Sequence, residues 1–478
     1  MKLFIEVVVG SFLSLQGRVR VSNLTAWVAL SSAALLSISF SQAQSAPPGE
    51  VLPLYDIAAA PSSERIMSDI ETLVNFGTRH TASDAESDSR GIGAARRWIF
   101  DEFERISDSC NGCLEVIYVG ETVSGERRVP DAVEIVSVLA IQRGALDPDR
   151  MVLMSGDIDS RVSDVMNSTS DSPGANDNAS GVAGVLEAAR VLSQYRFDGS
   201  IVYAALAGEE QGLIGGRIVA AHALEEGWQI KAVLNNDMIS NISGIDGVIN
   251  NTVARVFSEG TRAVETEEEA RARRFTGGEV DSPSRNLARY INIMADDYMT
   301  NLTVEMVYRL DRFGRGGHHR PFNAVGIPGV RIMETHEHYD RQHQDLRVEN
   351  GRVFGDTLDG VNAGYAAKLT GLNAITMAGI AGAPPFPADV KAAGAVRASA
   401  TLSWEHGGTE LARKNLAGYR VWWRKTTAPQ WTHSRFVGNV TEWEFTNLVI
   451  DNYFFGVSSV AADGSETPVV FPGPAGAF

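Results

Sequence analysis

The chain has 478 residues, 44% of them hydrophobic, and 42 Lys and Arg against 59 Asp and Glu give a formal net charge of −17. That length exceeds one ordinary hydrophobic core and predicts two domains. The negative charge excludes a nucleic-acid partner, because phosphate binding needs a basic surface; acidity of itself names no substrate.

Lys2, Arg18 and Arg20 precede an apolar run over 26–40, and Ser41-Gln42-Ala43-Gln44 follows it. The run is too short for a membrane span. With its small-residue end it predicts a signal peptide over 1–43 and an exported mature chain, periplasmic or extracellular, with no membrane span. Cys110 and Cys113 then read as a tight disulfide, since neither a redox nor a zinc context surrounds them.

Amphipathic periodicity predicts helices over 63–76 and 91–106, and Val- and Ile-rich runs predict strands over 114–118, 133–141 and 150–154. A helical period runs through Val182, Val185, Leu186, Ala189 and Leu192. Residues 200–206 and 230–234 read as strands and 216–226 as a helix. Residues 241–312 read as an insertion with charged helices, 329–333 as a strand and 356–378 as a long helix. Strands alternating with helices predict an α/β catalytic domain over 50–380, with a mostly parallel sheet flanked by helices. Such sheets bind ligands past the carboxyl ends of their strands, where Asp157, Glu209-Glu210 and Asp237 fall.

The stretch Ala-Gly-Ala-Pro-Pro-Phe-Pro over 381–387 reads as a linker. Beyond it the period changes to two, over 397–404, 418–424, 441–445 and 452–460, which predicts a small all-β sandwich over 388–478. Trp404, Tyr419, Leu448, Tyr453, Phe455 and Val457 resemble the core of a fibronectin type III domain. The partner of this sandwich is not readable.

Singly, the polar residues past the strands are ordinary. Asp177 suits a helix cap, Asp237 a strand-end turn, Glu210 a solvated loop and His343 a polar surface. Only their joint pattern points to chemistry. His80, His222, His406 and His433 stay outside it, and His336 and His338 read as loop residues. The stretches Phe-Gly-Thr-Arg-His over 76–80, Ser-Gly-Asp-Ile-Asp-Ser-Arg over 155–161 and Pro-Gly-Ala-Asn-Asp-Asn-Ala-Ser-Gly over 173–181 come in order. Gly-Glu-Glu-Gln-Gly-Leu over 208–213, Asn-Asn-Asp-Met over 235–238, Gly-Gly-His-His-Arg-Pro-Phe over 316–322 and Gln-His-Gln-Asp over 342–345 follow. Together they resemble the secreted dizinc aminopeptidases of peptidase family M28.

The resemblance implies two divalent metal ions, Zn2+ in the family, and peptide substrates with a free N-terminus. Asp177 would bridge the ions, Glu210 and His343 would complete one site, and Asp157 and Asp237 the other. Glu209 would be the general base, holding the water that the metals activate, and Asp159 would orient residue 157. The chemistry fits. A shared carboxylate lets two cations approach, and a neighbouring glutamate can move the proton from water to the leaving amine.

Two departures stand out. The family carries histidine at 157, where this chain has Asp157. Four carboxylates around two ions make weaker Lewis acids, tolerate manganese or magnesium better, and leave Asp159 facing a like charge. The family also often has Asp-His where this chain has His318-His319. Either His318 supplies the missing imidazole near one ion, or the two changes are unrelated drift. The rival functions are a weakened or inactive relative acting as a binding protein, and a single-zinc enzyme of the glutaminyl cyclase kind.

Overall fold

The computed structural model describes residues 46–478, so the expected signal peptide lies outside the described residues. Among them no helix is long and apolar enough to cross a membrane.

The centre is an eight-stranded sheet. Its strands are β1 (Leu114–Val123), β2 (Val133–Gln142), β3 (Asp147–Asp157), β4 (Gly199–Leu206), β5 (Gln229–Asn236), β6 (Val253–Ser258), β7 (Thr303–Val307) and β8 (Gly329–Met333). They lie in the order β1-β2-β4-β3-β5-β8-β6-β7. The middle, β4-β3-β5-β8, is parallel. On one side the β1–β2 meander joins β4 antiparallel, and on the other β6 joins β8 antiparallel. Its β6–β7 pair is parallel again, so the sheet is mixed with four parallel pairings against three antiparallel, in keeping with the expected mostly parallel α/β core. The apolar run of β4 is buried along its whole length, as a central strand requires, whereas β1 is largely exposed and caps an edge.

The helices are α1 (Pro53–Ala59), α2 (Ser63–Asn75), α3 (Gly91–Ser109), α4 (Gly181–Leu192), α5 (Ile214–Glu225), α6 (Glu267–Thr276), α7 (Pro283–Tyr298), α8 (His319–Ala324) and α9 (Ala363–Gly382). Helices α4 and α9 pack on each other and on β3, while α5 packs on β1, β2 and α8. Residues 241–312 are not an appended insertion. The apolar residues of 253–258 and 303–307 pair as β6 and β7 into the main sheet, and α7 buries Leu287, Tyr290, Ile291 and Met294. Only α6 is the solvated charged helix that its composition predicts, with no buried residue and a Thr266–Glu269 capping box. The Cys110–Cys113 disulfide closes the turn after α3.

A short hairpin, β9 (Arg347–Glu349) and β10 (Arg352–Phe354), precedes α9. After α9 come β11 (Ala388–Ala393), β12 (Ala400–Glu405), β13 (Leu416–Lys425), β14 (His433–Gly438), β15 (Glu442–Phe445) and β16 (Tyr453–Ala461). They form two three-stranded antiparallel sheets, β11-β12-β15 and β14-β13-β16. Between them Trp404 meets Tyr419 at 5.4 Å and Phe445 meets Phe455 at 5.0 Å, ring centre to centre. The period-two reading missed β11 and β14, whose alternation is broken by exposed residues. This unit rests on α7. Arg424 of β13 and Arg289 of α7 share one oxygen of the buried Asp281 at 2.7 and 2.8 Å. The Gln430 amide adds bonds to Arg289 O and Asn292 Oδ1.

Candidate functional site

The site lies past the carboxyl ends of β3, β4 and β5, where the backbone leaves the sheet and side chains are free to converge. β3 ends at Asp157 and β5 hands over to Asp237. The turn Ala175–Ser180, ahead of α4, carries Asp177. Asp356 fixes that turn by accepting the backbone N–H groups of Asn176 at 2.9 Å and Asp177 at 2.7 Å. Asn178, not Asp177, accepts the N–H of Gly181 at 3.0 Å and so does the capping work at α4. Asp177 is thereby free to face the cleft.

The loop between β4 and α5 places two glutamates side by side. Asp159 accepts the backbone N–H groups of Glu209 at 3.1 Å and Glu210 at 2.9 Å, and the Thr81 hydroxyl at 3.0 Å. Its carboxylate therefore braces the Glu209–Glu210 turn. This corrects the expectation that Asp159 orients residue 157: two backbone donors outcompete a neighbouring carboxylate of like charge. His80 is a buried structural histidine, with Nε2 2.9 Å from Val165 O.

Three of the expected ligands meet. His343 Nε2 lies 2.9 Å from both Asp177 Oδ2 and Glu210 Oε1. One ligand atom from each of these residues falls within 4.8 Å of the others, a donor set of one nitrogen and two carboxylates that suits one divalent ion. Arg161 holds the set from behind: its Nε donates to Glu210 Oε2 at 2.7 Å and its Nη2 lies 2.7 Å from His343 Nδ1. Burial opposes the charge on His343, but the carboxylates of Glu210 and Asp177 outweigh it and push the imidazole up to about 9. Burial likewise opposes the Asp177 carboxylate, yet His343, Arg312 and Arg315 hold it far below the usual range.

The other two expected ligands do not join this group. Asp157 Oδ1 lies 2.5 Å from His318 Nδ1, and Asp157 Oδ2 accepts the Asn178 amide at 2.7 Å. Asp237 Oδ2 is 2.8 Å from Arg331 Nη2 and 3.9 Å from Arg312 Nη2. Burial drives both carboxyls up, Asp157 to about 8 and Asp237 to about 7.

Glu209 lines one cleft with Asp177, Glu210 and Asp237. Among the described residues its carboxylate makes no hydrogen bond or ion pair, and burial together with Glu210 and Asp237 pushes it well above the ordinary glutamate range. Around these acids stand Arg127, Arg128, Arg161, Arg312, Arg315 and Arg320.

Sequence reasoning missed Asn178, Asp356 and Arg331. Asn178 was visible in the Asn-Asp-Asn triplet but lay in the shadow of Asp177. Arg331 had its own signal, a lone cation inside the otherwise apolar Gly-Val-Arg-Ile-Met strand, which can be buried only against a partner charge. Nothing local marks Asp356.

Residues 137–361 match the model of Peptidase family M28. A probable zinc metalloprotease of Leptosphaeria maculans is 40% identical over 90% of this chain and 98% of its own length. One of Pyricularia oryzae is 40% identical over 90% of this chain and 88% of its own. Among solved structures, the LapA aminopeptidase of Legionella pneumophila is 18% identical with a TM-score of 0.49, over 69% of this chain and 74% of that one.

Proposed function

This chain belongs to peptidase family M28, and we propose that it is an exported, zinc-dependent exopeptidase that removes residues from the free N-terminus of peptides. The observation that carries the reading is the unpaired Glu209 carboxylate opening on the same cleft as the Asp177–Glu210–His343 ligand group. An ion held by those three residues supplies Lewis acidity toward water and the scissile carbonyl. Glu209 takes the proton of the attacking water and returns it to the leaving amine, and its raised affinity for protons suits a base that must next act as an acid. Asp159 keeps Glu209 aimed by holding its backbone N–H. The acidic floor attracts the ammonium of a free N-terminus, and the surrounding arginines attract carbonyls and carboxylates farther along the peptide.

The choice of zinc follows the relatives' description as probable zinc metalloproteases. The disulfide supports an oxidising destination and hence export. We read the C-terminal sheets as a fibronectin type III-like accessory module, divided from the catalytic part at 381–387. A second reading, cyclisation of N-terminal glutamine, is favoured by the single assembled ligand group.

Rates on aminoacyl arylamides, on their N-acetylated counterparts and on glutaminyl peptides, with and without chelator, test the proposal. Chelator-sensitive release confined to free N-termini is expected. Cleavage of blocked substrates, or ring closure without hydrolysis, would overturn it.

A further inference from the structure

We infer that this chain binds one divalent ion, and that the guanidinium of Arg331 stands on Asp237 where the family's second ion would be held. The inference rests on the ion site proposed above and goes beyond it.

Ligand supply comes first. The second ion would draw on Asp157 and Asp237 besides the bridging Asp177. Asp157 has both oxygens engaged, one by His318 and one by Asn178. Asp237 carries a cation already, Arg331 at 2.8 Å, with Arg312 behind it at 3.9 Å.

That cation cannot step aside. Arg331 sits on β8, paired with β5 on one flank and β6 on the other, and its side chain is wholly buried. Its Nη1 donates to Gly316 O at 2.7 Å and lies 3.3 Å from Asp311 Oδ2. Held there, the guanidinium repels a divalent ion brought to the same carboxylate. The surplus of carboxylates left by Asp157 is thus balanced by fixed charge rather than by a second metal.

The departures at 157 and 318 fit the same picture. The family's imidazole at 157 and the carboxylate it often has at 318 stand exchanged here across one hydrogen bond, so Asp157 and His318 Nδ1 engage each other. His318 Nε2 and Asp237 Oδ1 are buried without partners. Yet among the described residues neither belongs to a set of three ligand atoms within 4.8 Å.

The test counts metal in the full chain after saturation with Zn2+ and gel filtration. One ion per chain is expected, unchanged in Asp237→Asn and lost in His343→Ala. Two ions in the parent chain, falling to one in Asp237→Asn, would overturn the inference and leave the proposed peptidase standing. No ion at all would overturn the peptidase reading itself. The triple variant Arg331→Met, Asp157→His, His318→Asp is expected to gain a second ion. If it folds and still binds one, the guanidinium and the exchanged pair are not what exclude the second ion, and that part of the inference fails.

Discussion

His318 Nδ1 lies 2.5 Å from Asp157 Oδ1, so the residue ahead of α8 and the last residue of β3 face each other across one buried hydrogen bond. His318→Ala and Asp157→Asn are each expected to cost about 1–3 kcal/mol, the penalty of an unmatched buried polar group. The double variant should cost less than their sum, with a coupling of about 1 kcal/mol or more. Urea denaturation of the four proteins reads the cycle, and additive losses would show that the two side chains are not coupled.

Glu209 and the ligand group can be separated by experiment. Glu209→Gln is expected to lower kcat by roughly 10²–10⁴-fold, the usual contribution of a positioned proton carrier. Its ion content should match the parent chain, because Glu209 lies outside the three-ligand set. Glu210→Gln should lose the ion together with the rate. A Glu209→Gln protein that cannot hold zinc would show that Glu209 is a ligand instead.

Asp159 is a positioning residue, since its oxygens meet two backbone N–H groups and a hydroxyl rather than the cleft. Asp159→Ala is expected to lower kcat more than it raises KM, because the Glu209–Glu210 turn loses its brace. Asp159→Asn keeps one accepting oxygen and should recover part of the rate. Equal loss in both variants would argue against the brace.

The pH dependence of stability has a contributor away from the cleft. Glu334 is buried, and its Oε2 accepts from the Asn176 amide at 2.9 Å and the Asn241 N–H at 3.0 Å. Burial raises it from the ordinary 4.5 to about 8. A raised folded-state value means its stabilising contribution is complete below about 4.5 and is lost as pH climbs through about 8. Denaturation midpoints should fall over that interval, and Glu334→Gln should flatten the fall. An unchanged slope in the variant would assign the effect to other groups.

Asp281 neutralises two buried arginines from two parts of the chain, Arg289 and Arg424. Asp281→Ala leaves both uncompensated and is expected to cost about 3–5 kcal/mol. The loss should show as earlier protease cleavage near 381–387, read by gel electrophoresis. Cleavage as slow as in the parent chain would show that apolar packing alone seats the C-terminal sheets.

What could be read from the sequence divides along physical lines. The ligand group was legible because carboxylates and an imidazole past apolar strands leave few alternatives, and Asp177, Glu210 and His343 do meet. The strands of the parallel centre were legible because full burial makes them continuous apolar runs. The edges were not: β6 and β7 are short and separated by the charged helix α6 and by α7, so the pattern hid their place in the main sheet. The role of Asp159 was misread because hydrogen bonds to backbone leave no mark in a side-chain pattern. Arg331 was passed over because spacing rules seek ligands, and its one signal, a lone cation in an apolar strand, belongs to no ligand motif.

A charge covalently attached to the sheet cannot be dialysed away. With Arg331 fixed between two strands, the acidic floor keeps part of its counter-charge whatever the surroundings hold in solution. On the single-ion proposal, the fold is then expected to form without an ion, which would serve the chemistry and not the architecture. The demetallated protein is expected to keep its circular dichroism and most of its thermal midpoint, and to regain turnover within the mixing time of added Zn2+.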